Sequence, residues 1–228
     1  MKTIGLIGGM SWESTAHYYR VLNQETARQL GGLHSAPLIV HSVDFAPIAA
    51  MQSAGDWDGA GRQLHQVARG LAAAGAQVLG LATNTMHVVA DTITQGLDIP
   101  FIHIADPTAD ALLADGFDSI GLLGTRFTME MDFYRKRLEA RGLTVLIPDV
   151  DRTNLNAIIY EELCHGMVTE RSRDAYIAAI ARLQQHGAQA VILGCTEICM
   201  LIDDSVSPLP TYDTTDLHAK ALVAAALA

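Results

Sequence analysis

Short apolar runs alternate along the chain with longer stretches whose apolar positions recur every three or four residues. That alternation predicts parallel strands joined by crossover helices, since a strand buried on both faces reads as a continuous apolar run and a flanking helix shows only one apolar stripe. Eight candidate strands result: Thr3 to Ile7, Pro37 to Val43, Gln77 to Ala82, Phe101 to Ile104, Ser119 to Leu123, Thr144 to Ile147, Ala190 to Leu193 and Leu209 to Tyr212. They fall into two groups of four. The predicted architecture is α/β with two pseudo-symmetric lobes, each a four-stranded parallel sheet flanked by helices. Residues 1–103 with 212–228 form the first lobe and residues 104–211 the second.

An internal repeat supports two lobes. Gly5-Leu6-Ile7-Gly8-Gly9 is answered 116 residues later by Gly121-Leu122-Leu123-Gly124-Thr125, and Gly75-Ala76-Gln77 is answered 112 residues later by Gly187-Ala188-Gln189. Offsets this close point to a duplicated unit, the alternative being the shared Gly and aliphatic composition of any two parallel strands. GAQVLGLATNTMH and GAQAVILGCTEIC each reach a tip eight positions after the first glycine. One tip is Thr83 and the other Cys195.

Ligands of open parallel sheets sit beyond the carboxyl ends of the strands. Four segments lie at such ends: Gly8-Gly9-Met10-Ser11, Thr83-Asn84-Thr85, Gly124-Thr125 with Thr128, and Cys195-Thr196-Glu197. Each precedes a predicted helix whose free N–H groups can hold an anion such as a carboxylate. For any one segment the alternative is an ordinary helix cap. GLIGGM is not G-x-G-x-x-G, and there is no Walker sequence, so nucleotide binding has little support.

Composition narrows the choice. The net charge of −10, with no Lys/Arg cluster to offset it, disfavours nucleic acid. No apolar run is long enough to cross a bilayer, so a soluble cytoplasmic protein without a membrane partner is expected. Three cysteines, Cys164, Cys195 and Cys199, are too few and too odd in number for a disulfide framework. The Cys195/Cys199 pair lacks further ligands at zinc spacing, and the histidines form no H-E-x-x-H pairing, so no metal is expected.

The pieces GGMSWEST (Gly8 to Thr15), TNTMH (Thr83 to His87), LLGTRFTM (Leu122 to Met129), YEEL (Tyr160 to Leu163) and GCTEI (Gly194 to Ile198), in this order, resemble the aspartate/glutamate racemase family over essentially the whole chain. The resemblance implies a cleft between two lobes as the active site, no pyridoxal phosphate, no metal, an amino-acid substrate and a homodimer. It implies two-sided proton transfer at the α-carbon, with the family's paired catalytic cysteines matching Thr83 and Cys195. It also implies that Asn84 and Thr85, with Thr196 answering them, hold the substrate; Met10, Ser11, Thr125 and Thr128 are further candidates at the strand ends.

Three departures stand out. Position 83 is Thr, a far weaker acid than Cys, although a subgroup with Thr there is described as acting on L-Asp and L-Glu or a broader set. Where acid-selective members carry Arg and Lys, this chain offers Gln52 and His165. A thiol at a helix start would have a lowered pKa. Glu197 either orients the thiol or raises its pKa, or complements a helix dipole; His87 either relays a proton to Thr83 or is packed. Two rivals remain open: a cofactor-independent decarboxylase or isomerase using Cys195 alone, and an amino-acid-binding protein without turnover.

Overall fold

A computed structural model describes residues 1–228. The elements run β1 (Ile4–Gly8), α1 (Trp12–Leu30), β2 (Leu38–Ser42), α2 (Phe45–Ala54), α3 (Trp57–Ala73), β3 (Val78–Leu81), α4 (Ala90–Thr94) and α5 (Ala105–Ala114). They continue as β4 (Ser119–Gly124), α6 (Arg126–Glu130), α7 (Asp132–Glu139), β5 (Thr144–Leu146), α8 (Arg152–Glu161), α9 (Glu170–Gln185), β6 (Ala190–Gly194), β7 (Thr211–Asp213) and α10 (Thr214–Leu227). Short 3₁₀ runs occupy Thr85–Val89, Leu163–His165 and Ile198–Met200. No helix is long and apolar enough to cross a membrane.

The chain divides into two compact units, Met1–Ile104 with His218–Ala228, and Ala105–Leu217. All strand pairs are parallel, in the orders β2-β1-β3 and β5-β4-β6-β7. Each sheet therefore places its first strand between its second and third, which is the layout of a repeat. In the first unit the period of two sends Ile4 and Leu6 to one face, against Tyr18 and Leu22 of α1 and Leu222 and Val223 of α10. Ile7 points the other way, with Leu79 and Leu81, onto the Leu64, Val67, Ala68 and Leu71 stripe of α3. In the second unit Leu123, Val191 and Leu193 pack on Leu155 and Ile159 of α8 and on Tyr176, Ile180 and Leu183 of α9.

The repeated Gly-Ala-Gln has a structural job in both units. Gly75 and Gly187 have φ of 100° and 99°, a region that L side chains avoid, and each turns the chain out of a helix into a strand. The glutamine two positions on caps the start of the neighbouring strand. Gln77 Oε1 accepts from Thr3 N at 3.1 Å, and Gln189 Oε1 accepts from Asp118 N at 3.0 Å and Ser119 N at 3.1 Å.

Two expectations need correction. The first sheet has three strands, because the predicted strand at Phe101 to Ile104 reduces to one bridge between Phe101 and Leu79. Pro100 has no N–H, and α5 begins directly after Ile104, so only the bonds Leu79 N to Pro100 O and Ile102 N to Leu79 O form. The last strand starts at Thr211 rather than Leu209, since Pro208 and Pro210 lack ladder donors. It pairs with β6, and Thr214 Oγ1 donates to Leu193 O at 2.9 Å. The second unit accordingly runs from Ala105 to Leu217, where the sequence pattern suggested 104–211.

Candidate active site

In the first unit, β1 and β3 are neighbours in register, Ile7 opposite Leu81, so the Gly8–Ser11 and Thr83–Thr85 segments leave the sheet side by side. This is where the strand order reverses, the usual ligand position of such sheets. Ser14 Oγ donates to Ala82 O at 3.4 Å and ties the two tips. Gly9, with φ of 89°, lies so close to β2 that a Cβ there would meet Val43 O at 2.2 Å. Its N–H donates to Thr15 Oγ1 at 2.8 Å.

The candidates of this unit do different work. Ser11 caps α1, accepting from Ser14 N at 3.3 Å, and Met10 is buried in the core beside α3. Gln52, on α2, is buried with its amide nitrogen 3.0 Å from the Met86 sulfur. Asn84 and Thr85 are buried at the start of the 3₁₀ run, and Thr83 at the tip is partly exposed.

Thr83 is held by its backbone at both ends. Its N–H donates to Leu81 O at 2.9 Å, and its carbonyl accepts from His87 Nδ1 at 2.8 Å. The other ring nitrogen, Nε2, accepts from Ile104 N at 3.2 Å. A backbone N–H can only donate, so Nε2 is unprotonated and the ring proton sits on Nδ1. Burial, with the neighbouring His103 and His218 rings, pushes the His87 pKa well down and keeps the ring neutral. Both nitrogens are committed to backbone, so His87 is the packed histidine of the two alternatives and does not relay protons.

In the second unit, Gly124 of β4 pairs with Gly194 of β6, which places Thr125 and Cys195 side by side. Neither glycine can carry a side chain without a clash, because a Cβ on Gly194 would lie 2.6 Å from Leu123 O and one on Gly124 2.8 Å from Gly194 O. Thr125 caps α6, accepting from Thr128 N at 3.3 Å, and its hydroxyl is 3.2 Å from that of Thr128. His165 is exposed in its own 3₁₀ run.

Cys195 is 8% exposed, and its Sγ donates to Glu197 Oε2 at 2.9 Å. Thr196 Oγ1 donates to the same oxygen at 2.7 Å. Burial first, then the charge and hydrogen bond of Glu197, push the thiol well above its ordinary value. The lowered pKa expected of a helix start is thus reversed. The chain continues past Cys195 into a short 3₁₀ run, not a helix with a macrodipole, and a carboxylate stands beside the sulfur. Glu197 orients the thiol and accepts from it, and this role could not be separated from dipole complementation on spacing alone. Tyr160 and Tyr176, for which the sequence suggested no role, belong to the same environment; burial first, then the neighbouring Cys195 and Glu197, raise both phenols.

A family model described as Asp/Glu/Hydantoin racemase matches residues 7–222. The broad specificity amino-acid racemase RacX of Bacillus subtilis is 26% identical over 154 residues, covering 68% of this chain and 66% of that protein, so the match spans about two thirds of that curated relative. The crystal structure of a candidate Asp/Glu racemase from Yersinia pestis superposes with a TM-score of 0.93 at 52% identity, covering 100% of both chains. That of an aspartate racemase homologue from Pyrococcus horikoshii OT3 gives 0.86 at 33% identity, again covering 100% of both.

Proposed function

Because the chain belongs to the Asp/Glu/hydantoin racemase family, we propose that it is an amino-acid racemase working without pyridoxal phosphate, on L-aspartate, L-glutamate or a broader set of amino acids. The observation that carries this reading is the Cys195 thiol bonded to the Glu197 carboxylate at 2.9 Å on the end of a parallel strand. Glu197 takes the Sγ proton as the substrate ammonium brings positive charge to the site, and the thiolate then removes the α-proton of the L-enantiomer. Thr83 Oγ1 gives its proton to the opposite face of the carbanion and is reset from solvent, while Glu197 releases the Sγ proton to solvent and the cycle returns to its starting state. Asn84 and Thr85, with the backbone N–H of Thr196, whose hydroxyl is committed to Glu197, hold the α-carboxylate. Gln52 and His165 supply hydrogen bonds but no fixed charge for a substrate side chain, which favours breadth over acid selectivity, as in RacX. By family likeness the active form is a homodimer.

A second reading is favoured by one observation. His87 is fully bonded to backbone and gives Thr83 no base, so the enzyme could act from the Cys195 side alone. Incubation with L-Asp, L-Glu and neutral L-amino acids in deuterium oxide separates the readings. Exchange with inversion supports the racemase; exchange or other chemistry without inversion supports the one-sided enzyme. No exchange with any substrate would leave a binding protein.

A further inference from the structure

The 3₁₀ geometry after Thr83 leaves that residue's carbonyl without the partner an α-helix would give it. In an α-helix the N–H of residue 87 would donate to Thr83 O, but here it donates to Asn84 O at 3.1 Å. The His87 side chain makes the missing bond instead, through Nδ1 at 2.8 Å. At the matching position of the second unit, Cys199 Sγ donates to Thr196 O at 3.2 Å, one residue past the tip, so only Thr83 has its tip carbonyl held by a side chain four positions on.

The imidazole is itself locked. Its Nε2 accepts from Ile104 N, and its centroid lies 4.5 Å from that of His103, 5.5 Å from Phe101 and 5.9 Å from His218. His218 is fixed in turn, Nε2 donating to Ile102 O at 2.8 Å and Nδ1 accepting from Tyr18 OH at 2.8 Å. Backbone carbonyl and amide partners dictate opposite tautomers for these two rings. The network joins α1, α10 and the 101–104 segment to one carbonyl at the end of β3.

We propose that His87 is a positioning residue for Thr83: its Nδ1–H, braced by the Ile104 amide, sets the peptide plane after Thr83 and thereby the direction of the Thr83 hydroxyl. This rests on the racemase reading for its consequence, since a misdirected hydroxyl impairs protonation of the far face and leaves Cys195 chemistry intact.

Two isosteric changes divide the ring's bonds. In His87→Asn the side-chain amide nitrogen takes the place of Nδ1 and keeps the bond to Thr83 O. In His87→Gln the amide oxygen takes the place of Nε2, keeping the Ile104 bond and losing the Thr83 bond. The readout is the ratio of inversion to α-deuterium incorporation from L-substrate in deuterium oxide, which a loss of folded enzyme does not change. The ratio should fall at least about tenfold in His87→Gln and stay within about threefold of wild type in His87→Asn. Equal ratios in wild type and His87→Gln overturn the proposal.

If wild type neither exchanges nor inverts, the racemase reading fails and the positioning claim is judged by the ¹³C shift of the Thr83 carbonyl. That shift should move in His87→Gln and not in His87→Asn; an unmoved shift in both overturns the claim. Should His87→Gln not fold, side-chain ¹⁵N spectra of wild type must show a protonated Nδ1 and a bare Nε2 on His87, and the opposite tautomer overturns it.

Discussion

Cys195 Sγ and Glu197 Oε2 are 2.9 Å apart, and the thiol is the donor. A carboxylate two residues from a buried thiol does two opposing things. It holds the sulfur protonated at rest, and it is the acceptor through which that proton can leave. Thr196 Oγ1, donating to the same oxygen at 2.7 Å, stabilises the carboxylate and keeps the proton on sulfur. The resting thiol is therefore held protonated, and in the reaction proposed above the ammonium of the substrate supplies the positive charge that releases its proton.

Glu197→Gln should split two rates that usually move together. Removing the charge lowers the Cys195 pKa, so iodoacetamide should alkylate Cys195 faster at a given pH. Removing the acceptor should slow α-proton exchange by about 10²- to 10⁴-fold, the usual worth of a general base. In wild type the alkylation rate should keep rising above the pH of an ordinary thiol, because burial and Glu197 raise the thiol. Exchange that speeds up along with alkylation would make Glu197 a suppressor and not a base.

Thr83 should control one direction more than the other. Thr83→Val should abolish inversion of L-substrate and leave deuterium exchange within about tenfold of wild type, because Cys195 still removes and returns the proton. Thr83→Cys should raise saturating turnover of D-substrate more than that of L-substrate, since a thiol supplies the base a hydroxyl lacks. Circular dichroism at low and saturating concentrations of each enantiomer measures both. An undiminished inversion in Thr83→Val would assign the second proton to another group.

The sequence made the strand ends legible because apolar runs bounded by glycine carry that information directly. Thr83 and Cys195 do stand at the ends of β3 and β6. It overextended the first sheet at Phe101 to Ile104, where an apolar run looks like a strand and Pro100 and the start of α5 decide otherwise. Ser11 and Thr125 proved to be caps, an alternative that residue type alone left open. The turns after the two tips were not legible. Whether they become α or 3₁₀ depends on side chains that capture carbonyls, His87 on Thr83 and Cys199 on Thr196, and spacing does not reveal which carbonyl a side chain takes. The Cys195–Glu197 bond has the same origin.

His87 should make stability fall in mildly acidic solution. Its folded pKa lies well below an unfolded value of about 6.5, so the unfolded chain binds more protons there, and stability present above that pH is lost as pH falls. The slope is up to about 1.4 kcal/mol per pH unit below about 6.5. Glu25, held near a pKa of about 2 by Arg28 and Gln29, loses its contribution only at lower pH, from its unfolded value of about 4.3 downward, so the windows separate. Chemical denaturation at pH 7.5 and 5.5 should show a drop in wild type and a smaller one in His87→Gln. An equal drop in both would mean that His87 does not titrate between the folded and unfolded states.

The two glutamines of the repeat should differ in worth although their backbone settings match. Each lies two positions after a glycine that turns the chain out of a helix, and each sends its N–H to the neighbouring strand, Gln77 N to Thr3 O and Gln189 N to Ser119 O, both at 2.8 Å. Those backbone bonds survive replacement by alanine, so the substitution isolates the side chain. Gln77 Oε1 serves one amide and Gln189 Oε1 serves two. A hydrogen bond contributes about 0.5–1.5 kcal/mol net, and these lie near the solvent, where water replaces part of what is lost. Gln77→Ala should therefore cost about 0.5 kcal/mol and Gln189→Ala about 1 kcal/mol in urea unfolding, each with an unchanged m-value. Neither should alter racemisation, because both amides lie at the opposite end of the strands from Thr83 and Cys195. Equal losses would mean that the second amide at Asp118 is as well served by water, and the extra bond in the second unit would then add nothing to its stability.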